Sequence, residues 1–154
     1  MPWRGSTDLK DKIFAALVYS VPLYYGYSAF SGSFVPRILG TLIEIFLMPL
    51  ALIYGSIPFA DFVLFLVLFL AVVRNDRISH FIRFNTMQAL LLYMAAILVG
   101  MGLRILGLGI ISAVINPACF ITILAVCLYS IIQSAQGSYP DIPGISQTVY
   151  NQVP

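Results

Sequence analysis

Charge is what this chain has least of: 8 Lys or Arg and 6 Asp or Glu make up 9% of its 154 residues. Soluble domains carry about 25% charged residues, so the polar side chains here are too few to cover a surface in water. The net charge of +2 is small and dispersed, which argues against nucleic acid as a partner. Histidine is nearly missing too. His80 has no cysteine or carboxylate clustered with it, so the sequence offers no zinc-type ligand set. Glu44, Asp61, Asp76 and Asp141 are scattered, with no paired-aspartate arrangement for intramembrane proteolysis. Neither a Gly-rich phosphate loop nor a Ser-His grouping occurs. The chain is read as a non-enzyme, with no catalytic residues, cofactor or metal. Cysteine is equally sparse: Cys119 and Cys127 are eight positions apart, roughly 12 Å of helical rise. That is too far for a disulfide, so both are read as small apolar side chains.

What the chain has in abundance is apolar length. It is 60% hydrophobic with a mean hydropathy of +0.97, as expected of an integral membrane protein. Five apolar stretches stand out: Ile13–Phe30, Ile38–Tyr54, Ile57–Val73, Phe84–Leu103 and Pro117–Ala135. Lys10 and Lys12 before the first resemble a signal sequence. The run is too long for one and carries Pro22 and several tyrosines, so it is read as a retained span. A bilayer core of about 30 Å needs roughly 17–25 helical residues, so length alone leaves the number of crossings open. The basic residues discriminate. If 38–54 does not cross, Arg4, Lys10, Lys12, Arg74, Arg77 and Arg83 share one side against Arg37 and Arg104; if it crosses, the division is four and four. The positive-inside rule favours six against two.

The expected architecture is therefore all-α and polytopic: four transmembrane helices plus one interfacial or re-entrant helix. Residues 1–12 form an N-terminal tail and 13–135 the membrane domain, with spans at about 13–30, 57–73, 84–103 and 117–135. Segment 38–54 is interfacial, and residues 136–154 form an extended polar tail with three prolines. Both termini face the cytoplasm or stroma. Gly40, Thr41, Glu44 and Met48 make a narrow stripe on the interfacial segment, where Glu44 avoids the insertion cost of a mid-membrane acid, on the order of 3 kcal/mol. Ser56 with Pro58 reads as a cap and first-turn proline, with Asp61 near the positive helix end. Asn116-Pro117 reads the same way, and the glycines from Gly100 to Gly109 suit a turn or close helix approach.

The densest polar stretch is Arg74–Gln88, RNDRISHFIRFNTMQ, wedged between two apolar runs. On a helix starting near Asp76, Arg77, His80 and Gln88 fall within an arc of roughly 80°, with Asn85 beyond Gln88. These residues, together with Glu44, form a candidate polar strip that lines a water-accessible vestibule or contacts a polypeptide. The alternative has the arginines anchoring topology at headgroups, Arg74 and Arg83 above all, and Asn85 and Gln88 bonding neighbouring helices. Tyr19, Tyr24, Tyr25, Tyr27 and Tyr54 read as an interfacial belt.

The string SIPFADFVLFLVLFLAVVRNDRISHFIRFNTMQALLL, at Ser56–Leu92, closely resembles the twenty-kilodalton subunit family of the chloroplast inner-envelope import translocon, the Tic complex. RFNTMQA at Arg83–Ala89 is its most specific piece; LVYSVPLYYGY and SYPDIPGISQTVYNQV support it. The resemblance implies a four-helix protein at the protein-conducting core of preprotein import, with termini on the stromal or cytoplasmic side. Without a transit peptide, the chain looks like a cyanobacterial or plastid-encoded type, located in a cyanobacterial cell membrane or plastid inner envelope. The expected function is protein translocation or membrane-protein handling. The alternative is a structural or assembly subunit of a larger complex without transport activity. Expected partners are other membrane proteins, translocon subunits or further copies of the chain, a translocating polypeptide and the lipid bilayer. Four helices leave little room for a polypeptide-wide pore, so a channel would require an oligomer or larger partners.

Overall fold

The computed structural model describes residues 7–107 and 109–153, and Arg4 of the charge count lies outside them. The described residues form helices joined by turns and loops, without strands. Asp8 starts α1 (Leu9–Leu17) by accepting the Leu9 amide at 2.8 Å. Pro22 lacks the N–H that would bond Val18, so the helix kinks at Val18–Tyr19 before resuming as α2 (Ser20–Phe30). The kink points Tyr19 into the core, where it is fully buried. α3 (Arg37–Ser56) runs through Pro49. α4 (Ala60–Val67) passes into a π-helical segment, Leu68–Val73, closed by the Arg74 amide on the Phe69 carbonyl at 3.0 Å. α5 (His80–Leu106) begins on a Ser79 cap and ends at Gly107, whose φ of 59° suits glycine. α6 (Gly109–Ala135) contains Pro117, and α7 (Ile145–Gln152) lies in the tail.

The kinked α1–α2 rod, α5 and α6 form the core bundle. Tyr19 bonds Asn85, and Tyr25 meets Tyr93 edge-on further along, so the first rod runs parallel to α5. A Cβ on Gly26 would stand 2.8 Å from Ile123, and Phe120 lies beside Tyr27, so α6 runs antiparallel to that rod. One end of the bundle gathers Thr7 and Lys12 against Gly137, the 74–79 loop and the tail. At the other, a cavity is lined by Ala29, Phe30, Gly100, Arg104, Gly109 and Asn116. Large side chains such as Ile38, Ile105, Ile110 and Val114 are exposed around it, as lipid contact requires.

Among the described residues, four helices are long and apolar enough to cross a membrane: Leu9–Phe30, Arg37–Ser56, His80–Leu106 and Gly109–Ala135, with Ala60–Val73 shorter. Length thus falls differently from the sequence expectation of a spanning 57–73 and an interfacial 38–54. The reason is the turn at Ile57–Phe59, which leaves a helix of about 21 Å between Ala60 and Val73. α3 does not run alongside α2. Glu44 meets the Tyr27 hydroxyl at 2.7 Å, while Tyr54, ten residues on, stacks on Tyr24 with centroids 4.6 Å apart. An antiparallel helix would bring Tyr54 beside residue 17, so α3 crosses α2 obliquely. α4 then follows α5 antiparallel, from Asp61 at Tyr93 to Val73 at Arg83. Together α3 and α4 carry the chain from the Phe30 end to the Arg83 end.

Two punctuation readings are corrected. Ser56 does not cap α4 but ends α3, its hydroxyl bonding back to the Leu52 carbonyl at 2.7 Å. α6 starts at Gly109, eight residues before Pro117, because membrane helices tolerate an internal proline when neighbours compensate.

Candidate functional site

Polar side chains with no place among lipid tails converge at the Arg83 end. Asn85 is completely buried. Its Nδ2 donates to the Phe81 carbonyl at 2.8 Å, and its Oδ1 accepts from Tyr19 at 3.0 Å and Ser134 at 2.8 Å. One turn on, buried Gln88 donates from Nε2 to the Pro140 carbonyl at 3.2 Å. The Ser146 hydroxyl faces Gln88 Oε1 at 3.2 Å and the Pro140 carbonyl at 3.3 Å, and accepts the Ile142 amide at 2.7 Å. Ser130, one turn before Ser134 on α6, is also buried, as is Thr86, whose hydroxyl has no hydrogen-bond partner among the described residues. A seam of this kind fixes helix register, because each unpaired group in an apolar interior costs about 1–3 kcal/mol.

The tail closes over this seam. His80 Nε2 faces the Val153 carbonyl at 3.3 Å, which can only accept, so that nitrogen is the donor there, and Nδ1 lies 3.1 Å from the Tyr139 hydroxyl. Tyr139 stands edge-on to Phe81 and Phe84, Tyr150 tilts against Phe84, and Val149 and Val153 are buried with Phe84 and Leu90. The expected extended tail is therefore a folded cover. Pro140 and Pro143 lie in the turn, Gly144 at φ 83° starts α7, and α7 buries one apolar edge on α5.

His80, Asn85 and Gln88 thus come together, but as a filled seam rather than an open vestibule. Arg77 does not join them. α5 starts at His80, so Arg77 sits exposed in the preceding turn, its amide bonded to Asn75 Oδ1 at 3.0 Å. Glu44 is held by Tyr27 on α3, apart from the seam. Arg74 is exposed, its guanidinium 5.8 Å from the Phe69 ring centroid. Arg83 is more than a headgroup anchor: buried, it donates from Nε to the Val73 carbonyl at 2.9 Å and pairs with Asp76 at 3.3 Å, fastening the loop to α5.

A second polar group lies halfway along the bundle. Tyr93 hydrogen-bonds Asp61 and receives the Tyr54 hydroxyl at 3.3 Å, with Tyr25 edge-on to its ring. The tyrosines read as a surface belt are thus largely internal contacts. Sequence reasoning did not single out Ser130, Ser134 or Ser146. The first two repeat at i, i+4 on one helical face, which was a usable signal.

A family model described as "Chloroplast import apparatus Tic20-like" matches residues 10–149. A "Tic20 family protein" of Synechocystis sp. is 39% identical over 99% of both chains. "Tic20 family protein Ycf60" of Gracilaria tenuistipitata var. liui is 32% identical over 93% of this chain and 75% of its own length. "Protein TIC 20-II, chloroplastic" of Arabidopsis thaliana is 30% identical, covering 96% and 74% respectively.

Proposed function

The chain belongs to the Tic20-like family of the chloroplast import apparatus and is a translocon-related membrane component, and from this we propose that it contacts translocating polypeptide through the seam of His80, Asn85 and Gln88. The observation that carries the reading is a fully buried carboxamide pair closed by the chain's own tail. Displacing residues 139–153 would uncover donors and acceptors in a bundle otherwise faced with lipid, suited to hydrogen-bonding a peptide backbone. Arg77, exposed beside the seam, supplies a cation at its mouth. Glu44 is left out of this contact because Tyr27 holds it on α3. The bundle crosses the membrane four times, 37–73 acting as one discontinuous passage. The end bearing Lys10, Lys12, Arg74, Arg77 and Arg83 faces the cytoplasm or stroma, against Arg37 and Arg104. The membrane is a cyanobacterial cell membrane or plastid inner envelope.

A second reading, a structural subunit that conducts nothing, is favoured by one observation: Asn85 and Gln88 are already hydrogen-bonded within the chain. Photocrosslinking separates the two. A photoreactive residue at Gln88, and another at Tyr139, should form adducts with a translocating substrate, while one at lipid-facing Leu98 should not. Substrate adducts elsewhere on the chain but at neither seam position would remove the seam as the contact, and substrate adducts nowhere on the chain would leave the structural reading.

A further inference from the structure

Tyr93 lies ten residues after Arg83 and eleven before Arg104 on the same helix, about 15–16 Å from each. The hydrocarbon core is about 30 Å thick, so the Tyr93 level is its middle. At that level the chain leaves helical structure at Ile57–Phe59 and presents the Asp61 carboxylate. Ser56, Ile57, Pro58, Phe59 and Asp61 are all exposed, Phe59 at 85% and in the left-handed region with φ 55°. The first amides beyond the turn, Phe62 and Val63, both return to the Phe59 carbonyl, so the break is not bridged to α3 by these bonds. Broken backbone and a carboxylate are tolerated at this depth only when covered by protein or facing a water-filled cavity. Bare lipid satisfies neither condition.

We propose that this break is a docking site for a membrane-spanning helix of a different protein, one carrying a Lys or Arg near its middle. Tyr93 gives Asp61 one hydrogen bond, but no cation pairs with it among the described residues, where the ion pair is Arg83–Asp76. A second copy cannot supply the charge. Copies inserted in one orientation hold equal residues at equal depth, and the described cations Lys10, Lys12, Arg37, Arg74, Arg77, Arg83 and Arg104 all lie toward the two ends. Phe59 and Phe62, on either side of Asp61 in the chain, present exposed apolar surface on which such a helix packs. The proposal stands apart from polypeptide contact at the seam and holds for either reading of the function.

The test uses the full chain in its native membrane, with a photoreactive residue at Phe59 and a comparison at Leu98. The expected result is a discrete adduct from position 59, mapping to a transmembrane segment that contains Lys or Arg. Asp61→Asn keeps an acceptor for Tyr93, so the fold survives, and it should lower that adduct at least tenfold, as should Asp61→Lys. Changing the mapped cation to Asp should restore the adduct of the Asp61→Lys chain. Adducts from position 59 with lipid alone, with a second copy, or with a segment lacking a cation would overturn the proposal. So would an adduct unchanged by Asp61→Asn.

Discussion

Gln88 donates its side-chain amide to the carbonyl of Pro140, fifty-two positions later, at 3.2 Å. This bond ties the central helix to the tail and makes the two one folding unit. Shortening Gln88 to Ala leaves the buried Pro140 carbonyl and Ser146 hydroxyl short of a partner. The expected result is faster proteolysis of residues 139–153, with a loss on the order of 1–3 kcal/mol in their protection. Limited digestion in detergent micelles or nanodiscs reads it. Ser146→Ala should act on the same bond network, so the double variant should lose less than the sum of the two.

Asn85 serves two hydroxyls and one carbonyl at once. Asn85→Leu should destabilise the bundle by more than either Tyr19→Phe or Ser134→Ala, by about 2–4 kcal/mol against roughly 1 kcal/mol each. Thermal unfolding of the three variants in one detergent gives the ranking, and equal shifts would mean the carboxamide is not the hub.

The seam was half legible in the sequence. Asn85 and Gln88 announce themselves because a carboxamide inside an apolar run needs a partner. Their side-chain partners are 49 to 66 positions away, and nothing local in Tyr19 or Ser134 marks them. The tail misled because three prolines and many polar residues read as extended chain, whereas α7 needs only Ser146, Val149 and Val153 facing inward. Arg77 was misplaced by one turn: Ser79, not Asp76, caps α5. The split of 37–73 turned on Ser56 and Pro58. Both fit a helix start as well as a break, and the obliqueness of α3 depends on tertiary contacts at Tyr24 and Tyr27.

Arg83 binds the Val73 carbonyl through Nε, a donor that lysine lacks. Arg83→Lys should therefore destabilise the 74–79 loop by about 1–2 kcal/mol despite the retained charge. Asp76→Ala should cost well under 1 kcal/mol, since Asp76 is 89% exposed. Hydrogen exchange of the loop amides distinguishes them; equal effects would assign the loop's order to the ion pair.

Close approach of α2 and α6 depends on Gly26, where an added Cβ would meet Ile123 at 2.8 Å. Gly26→Val should lower the unfolding temperature by an overpacking cost of about 1–3 kcal/mol, and Ile123→Ala should recover part of it in the double variant. A double variant no better than the sum would show that the two helices do not meet there.

The arrangement of the ends is tested most directly by two-sided cysteine labelling. In a chain with Cys119 and Cys127 replaced by alanine, single cysteines are placed at Asp76, Gln136 and Ser33, each exposed. An impermeant reagent should label Asp76→Cys and Gln136→Cys from the same compartment and Ser33→Cys from the other. Labelling of positions 33 and 76 from the same compartment would contradict the discontinuous passage at 37–73, and labelling of 76 and 136 from opposite compartments would contradict the placement of the seam at one membrane face.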